Sequence, residues 1–253
     1  LTDETTTRSL STHTARALVA TLGVIGMAWC TLTLPSFWND FPLTQFATHI
    51  LRGETFPVER LEQTLRVYRS GPHITQCSST AAHDASVIEL ALLRSRFDDS
   101  SAPTDADFER TMKAVKYGLS CLPSDAYLWF SLFQVESLRT GLRDDYIHHL
   151  DMSYQVGPNE GWLAIPRNRA AFAIFPALPD ALQSKVLDEF CLLLRSELYA
   201  EAIDIFLGAA KPYQARLIQR LEAVPVRNRQ LFAVQLARKG IDAQIPGTSV
   251  VVR

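Results

Sequence analysis

The chain of 253 residues is 47% hydrophobic and 21% charged, a balance that supports a packed core and excludes wholesale disorder. Its 25 Lys and Arg against 27 Asp and Glu leave a net charge of -2. No basic footprint for neutralising phosphates follows from that balance, so a general nucleic-acid binder is excluded.

The first 16 residues are polar and carry Arg8 and Arg16. Leu1 in place of an initiator Met leaves two readings, an alternative start codon or a start further upstream. Residues 17–34, ALVATLGVIGMAWCTLTL, have no charged side chain, and Pro35, Ser36 and Phe37 extend the stretch to 17–37. At 1.5 Å per residue this covers roughly 27–32 Å, the thickness of a hydrocarbon core. Phe37, Trp38 and Phe41 suit an interfacial aromatic belt. The stretch exceeds the roughly 7–15 apolar residues of a signal peptide, and no A-x-A-like site follows. Cys30 follows the bulky Trp29, which a lipoprotein signal would not allow. The expectation is an uncleaved single-pass anchor.

After Arg8 and Arg16, no Lys or Arg appears until Arg52. That bias places the N-terminus inside. The expected organisation is therefore a cytoplasmic tail at 1–16, an inner-membrane helix at 17–37, a periplasmic helical-repeat domain at 38–240 and a C-terminal tail at 241–253.

Beyond the anchor the pattern predicts helices at 43–52 and 57–69, the second showing Leu61, Leu65 and Tyr68 at helical spacing, with Gly53 between them. A longer helix follows at 79–97. The polar loop DDSSAPTD separates it from a helix at 105–120, capped by Thr104 or Asp105. In SCLPSDAYLW (120–129), Pro123 stops that helix and Ser124 or Asp125 caps the next. The new helix carries Trp129, Leu132, Val135 and Leu138 on one face and ends at Gly141. Its partner covers 143–155, and Pro158 and Asn159 repeat the stop-and-cap logic. Further helices are expected at 162–175, 179–195, 197–208, 212–223 and 226–239. Only SVVV at the extreme end reads as strand.

Pro123 and Pro158 are 35 residues apart, near the period of tetratricopeptide repeats, and Trp129-Phe130-Ser131-Leu132 fits the opening of such a unit. Phe133, Glu136 and Asp145 depart from the pattern. RNRAAFA (167–173) and RNRQLFA (227–233) form a second echo, each after a proline. The fold class is all-α: a transmembrane helix followed by an irregular α-solenoid of tetratricopeptide-like hairpins.

Of four cysteines, Cys30 falls in the anchor and Cys191 among apolar neighbours. Cys77 precedes the 79–97 helix and Cys121 follows the 105–120 helix. If these helices form an antiparallel hairpin, both cysteines sit at the same end and an oxidising compartment lets them bridge. The alternative is two unpaired core thiols.

No GxSxG, P-loop, HExxH or GxGxxG is present, and Glu160 and Glu189 lack a partner carboxylate at glycosidase spacing. No catalytic residue, metal or cofactor is assigned. His148 and His149 read as a solvated face beside Asp144 and Asp145. The candidate ligand residues are Arg167, Arg169, Arg227 and Arg229, with Trp162. An arginine near a helix N-terminus opposes the macrodipole and needs compensation, from acids inside the fold or from an anionic polysaccharide held by guanidinium forks. Trp162 is a sugar-stacking ring or part of the core.

The stretches LSCLPSDAYLW (119–129) and SYQVGPNEGWLAIPRNR (153–169) resemble those of single-pass helical proteins of alphaproteobacteria encoded beside exopolysaccharide-assembly genes. The similarity covers about Leu43 to Gly247 and rests on structural turns. It implies a membrane-anchored scaffold or accessory in surface-polysaccharide assembly, with polysaccharide-assembly membrane proteins as partners. The alternatives are a carbohydrate-binding or carbohydrate-processing α-helical domain that uses the Arg-Asn-Arg triplets, and a small membrane-bound regulator.

Overall fold

The computed structural model describes residues 3–70, 77–98 and 102–248, and among them the chain forms helices and no strand. The predicted SVVV strand lies outside the described residues. The structure divides into two compact units, Leu1–Cys121 and Leu122–Arg253. The expected domain at 38–240 spans that boundary, which falls in the SCLPSDAYLW turn.

The first unit begins with α1, Asp3–Leu51, a single helix of 49 residues and so about 73 Å long. The separate elements expected at 17–37 and 43–52 are one rod. It runs through Pro35 and Pro42, each of which gives up one intrahelical hydrogen bond. Thr14–Leu32 is long and apolar enough to cross a membrane, and none of it is buried. Leu18, Val19, Leu22, Ile25 and Trp29 are all more than half exposed. The same helix turns inward at Leu43 and Ala47, each 1% exposed.

That inward end of α1 packs with α2 (Val58–Ser70) and α3 (Ser79–Asp98). Leu43, Leu61, Leu65, Ala81, Ala85, Ile88 and Leu92 form the shared core, with Phe46 and Phe56 edge to face at 4.9 Å. Thr44 Oγ1 donates to the Asp84 carboxylate at 2.7 Å and so pins α1 to α3. Buried residues run along several faces of α3, as expected of a helix covered on more than one side.

The helix α4 (Asp105–Cys121) runs antiparallel to α3. Phe97 meets Phe108 at one end, Ser86 Oγ donates to the Ala114 carbonyl midway, and Cys77 bonds to Cys121 at the other end. The Cα atoms of the two cysteines are 5.5 Å apart. The expected hairpin and its disulfide are both present. Thr104 caps α4 in a reciprocal box: the Asp107 N–H donates to Thr104 Oγ1 at 3.3 Å, and the Thr104 N–H donates to the Asp107 carboxylate at 2.9 Å. The Thr104 hydrogen bonds hold the Asp107 carboxyl below its usual range.

The second unit starts at the turn after Cys121. Asp125, not Ser124, is the cap: its carboxylate accepts from the Leu128 N–H at 3.0 Å and launches α5 (Ala126–Thr140). Trp129 Nε1 donates to the Pro123 carbonyl at 2.8 Å, so the indole closes the turn. Gly141, at φ 82°, ends α5 in a backbone conformation that side chains disfavour. The partner helix α6 (Asp144–Val156) returns antiparallel, and Ser153 Oγ donates to the Ala126 carbonyl at 2.8 Å. Gly157 ends α6 where a Cβ would collide with that of Ala126. α5 buries Tyr127, Leu128, Phe130, Leu132, Phe133 and Val135, more than a single face, while Leu138 stays exposed.

The chain continues through α7 (Gly161–Ala173), α8 (Asp180–Arg195), α9 (Tyr199–Leu207), α10 (Gln214–Arg220) and α11 (Val226–Arg238). Glu160, not Asn159, precedes α7, and it makes no side-chain cap bond. Phe190 on α8, Phe206 on α9 and Phe232 on α11 are fully buried, their ring centroids 5.6–6.4 Å apart. These spacings and edge contacts are those favoured by aromatic pairs.

Candidate functional site

The Arg-Asn-Arg triplets left two readings, compensation by acids inside the fold or an anionic ligand, and the first triplet takes the former. Pro166 lies inside α7, whereas Pro225 precedes α11, so the two triplets occupy different places on their helices. Arg167 is 0% exposed. Its guanidinium makes five hydrogen bonds within the unit. Nε and Nη2 donate to Glu189 Oε1 at 3.0 and 2.6 Å, Nη1 to the Ser153 carbonyl and hydroxyl at 2.6 and 2.9 Å, and Nη2 to the Gly157 carbonyl at 2.9 Å. The Arg167 Cζ also lies 4.3 Å from the centre of the Tyr154 ring.

Arg167 is therefore not a ligand residue: the fork that was to hold an anion holds Glu189. Five donors on a planar group match the five N–H groups that arginine owns. The compensation expected of the triplet comes from an acid inside the fold.

The cluster extends to Tyr154, whose hydroxyl donates to Glu189 Oε2 at 2.7 Å, and to Asn168, whose amide donates to the Val186 carbonyl at 2.8 Å. Burial pushes the Glu189 carboxyl above the usual carboxylate range, against the pull of Arg167. Burial first, and the Glu189 charge second, drive the Tyr154 phenol well above its ordinary value. A carboxylate, a phenol and a guanidinium together suggest acid–base chemistry, but none of the three is more than 5% exposed. The arrangement joins α6, α7 and α8.

The other sequence-predicted residues scatter. Arg169 is exposed. Arg227 is exposed and 3.5 Å from the Glu197 carboxylate. Arg229 is half-buried and donates to the Pro246 carbonyl at 2.6 Å. Asn228 repeats the role of Asn168, donating to the Leu194 carbonyl at 2.9 Å and contacting the Tyr199 hydroxyl at 3.0 Å. Trp162 is 49% exposed, its ring 5.4 Å from that of Tyr127.

The first unit holds a feature that periodicity did not reveal, an open cleft of about 360 Å³. Its floor is α3, with Ala82, Ala85 and the buried Glu89; Leu65, Tyr68 and Arg69 line it from α2, and Arg110, Lys113, Ala114 and Tyr117 from α4. Arg69 pairs with Glu89, and Arg110 with Asp107. The Glu89 carboxyl is raised by burial, with Arg69 and Arg110 opposing. The alanines leave the depression open, and the contributing helices are separated in sequence by loops.

Among the described residues, fold and geometry define a class: an all-helical protein with one helix able to cross a membrane and one disulfide. The chain matches no protein-family profile, no curated protein and no solved structure.

Proposed function

We propose that this chain is a single-pass inner-membrane protein whose helical units face the periplasm and act as a scaffold or accessory in surface-polysaccharide assembly or export, through protein–protein contacts. The carrying observation is the two-sided character of α1. It is exposed and apolar over Thr14–Leu32 and buried at Leu43 and Ala47, so anchor and fold are one continuous helix. A rod of that kind holds the first unit close to the bilayer surface, within reach of other membrane proteins. The Cys77–Cys121 bond supports an oxidising compartment. The solenoid reading draws on the α3/α4 and α5/α6 hairpins, and the polysaccharide role on the resemblance at 119–129 and 153–169.

The burial of Arg167 weighs against the rival carbohydrate site. Such a site would need the first triplet in a groove, and only Arg169 of that triplet is exposed. Crosslinking in intact cells, followed by identification of captured proteins, tests the proposal. Components of polysaccharide polymerisation or export are expected among the captured partners. Their absence from every crosslinked product, with the chain itself recovered from membranes, overturns it.

A further inference from the structure

The cleft of the first unit goes beyond a scaffolding role. Its volume of about 360 Å³ lies within the roughly 300–1,000 Å³ of small-molecule sites. It has the composition of such sites as well: alanines beside one buried carboxylate on the floor, two aromatic rings and a few charged groups. Three cations line it. Arg69 is answered by Glu89 and Arg110 by Asp107, while Lys113 is exposed and has no carboxylate partner among the described residues. The cleft thus keeps one positive charge to spare. Tyr68 on α2 and Tyr117 on α4 line its two sides, and Tyr117 is 52% exposed. Ala82, Ala85 and Ala114 supply the room between them.

We propose that this cleft binds a small ring-bearing monoanion, its carboxylate on the Lys113 ammonium and its ring against Tyr68 and Tyr117. A single spare cation selects one negative charge. Aromatic walls select a flat apolar face, whether of an aromatic ring or of a sugar. The Arg69–Glu89 pair at the floor offers a donor and an acceptor for a ring hydroxyl.

The test is calorimetric titration of the full chain in detergent with two acids and their neutral counterparts: 4-hydroxybenzoate against 4-hydroxybenzamide, and glucuronate against glucose. At least one acid is expected to bind tenfold or more tightly than its counterpart, and the winning pair tells an aromatic from a saccharide ligand. Lys113→Met is expected to abolish that preference. Tyr117→Ala is expected to weaken acid and neutral forms alike. Both side chains are exposed on α4, so neither change removes core packing. Arg169→Met, on the other unit, is expected to change nothing. Equal or absent binding of each acid and its counterpart overturns the proposal, as does a preference that survives Lys113→Met.

Discussion

Arg167→Met is expected to destabilise the second unit by about 3–5 kcal/mol, the usual loss when one partner of a buried ion pair is removed. The reason is what remains behind. Glu189 stays in the interior with its guanidinium gone, the Gly157 carbonyl loses the Arg167 donor, and the Ser153 carbonyl keeps only the Gly157 N–H at 3.2 Å. Each orphaned buried group adds a desolvation cost. Arg167→Lys restores the charge but not the planar fork, so it recovers only part of the loss. Glu189→Leu is expected to be comparably harmful, and the Arg167→Met/Glu189→Leu double variant to cost less than the sum of the two, because each single change already breaks the shared pair. Urea unfolding of these four variants measures this directly. A ligand-gripping arginine on the surface would behave otherwise, with a loss within about 0.5 kcal/mol. Such a small loss would contradict the assignment of Arg167 to the core.

The second large effect concerns the disulfide. Replacing Cys77 and Cys121 by Ala is expected to cost the first unit about 4 kcal/mol, the chain-entropy value for a closed loop of this size. The bond joins residues 44 apart in sequence, with all of α3 and nearly all of α4 between them. Without it, the unfolded chain regains the freedom of that loop, while the core around Leu61, Ala85 and Ile88 remains. Hydrogen exchange is expected to speed up at the amides of α3 and α4. It should stay unchanged around Phe190, Phe206 and Phe232, in a unit that has no disulfide among the described residues. Reductant added to the native chain should reproduce the result. Cys191 does not complicate the thiol count: it is 1% exposed, and burial pushes its thiol up to about 11, so it resists alkylation until the chain unfolds. Identical stability with and without reductant would contradict the argument.

Turn chemistry made much of the fold legible. Thr104, Asp125 and Gly141 are signals read within a few residues, and the helices they bound were expected within one or two positions. The Cys77–Cys121 pairing was legible for a related reason: two helices of similar length returning on each other bring their far ends together. Periodicity stopped short where partners are distant. It places Arg167 on a helix but does not say that Glu189, a full helix later, completes it. The pattern separates the stretches at 17–37 and 43–52, yet α1 runs unbroken through both. The cleft was invisible because the room in it comes from Ala82, Ala85 and Ala114, residues that carry no signal until three helices are set side by side.

The most direct test of the account is a pair of C-terminal fusions, one to alkaline phosphatase, which is active only after export, and one to a green fluorescent protein, which fluoresces only in the cytosol. Activity from the phosphatase fusion together with a dark fluorescent fusion is the predicted result. Bright cytosolic fluorescence with an inactive phosphatase would contradict it.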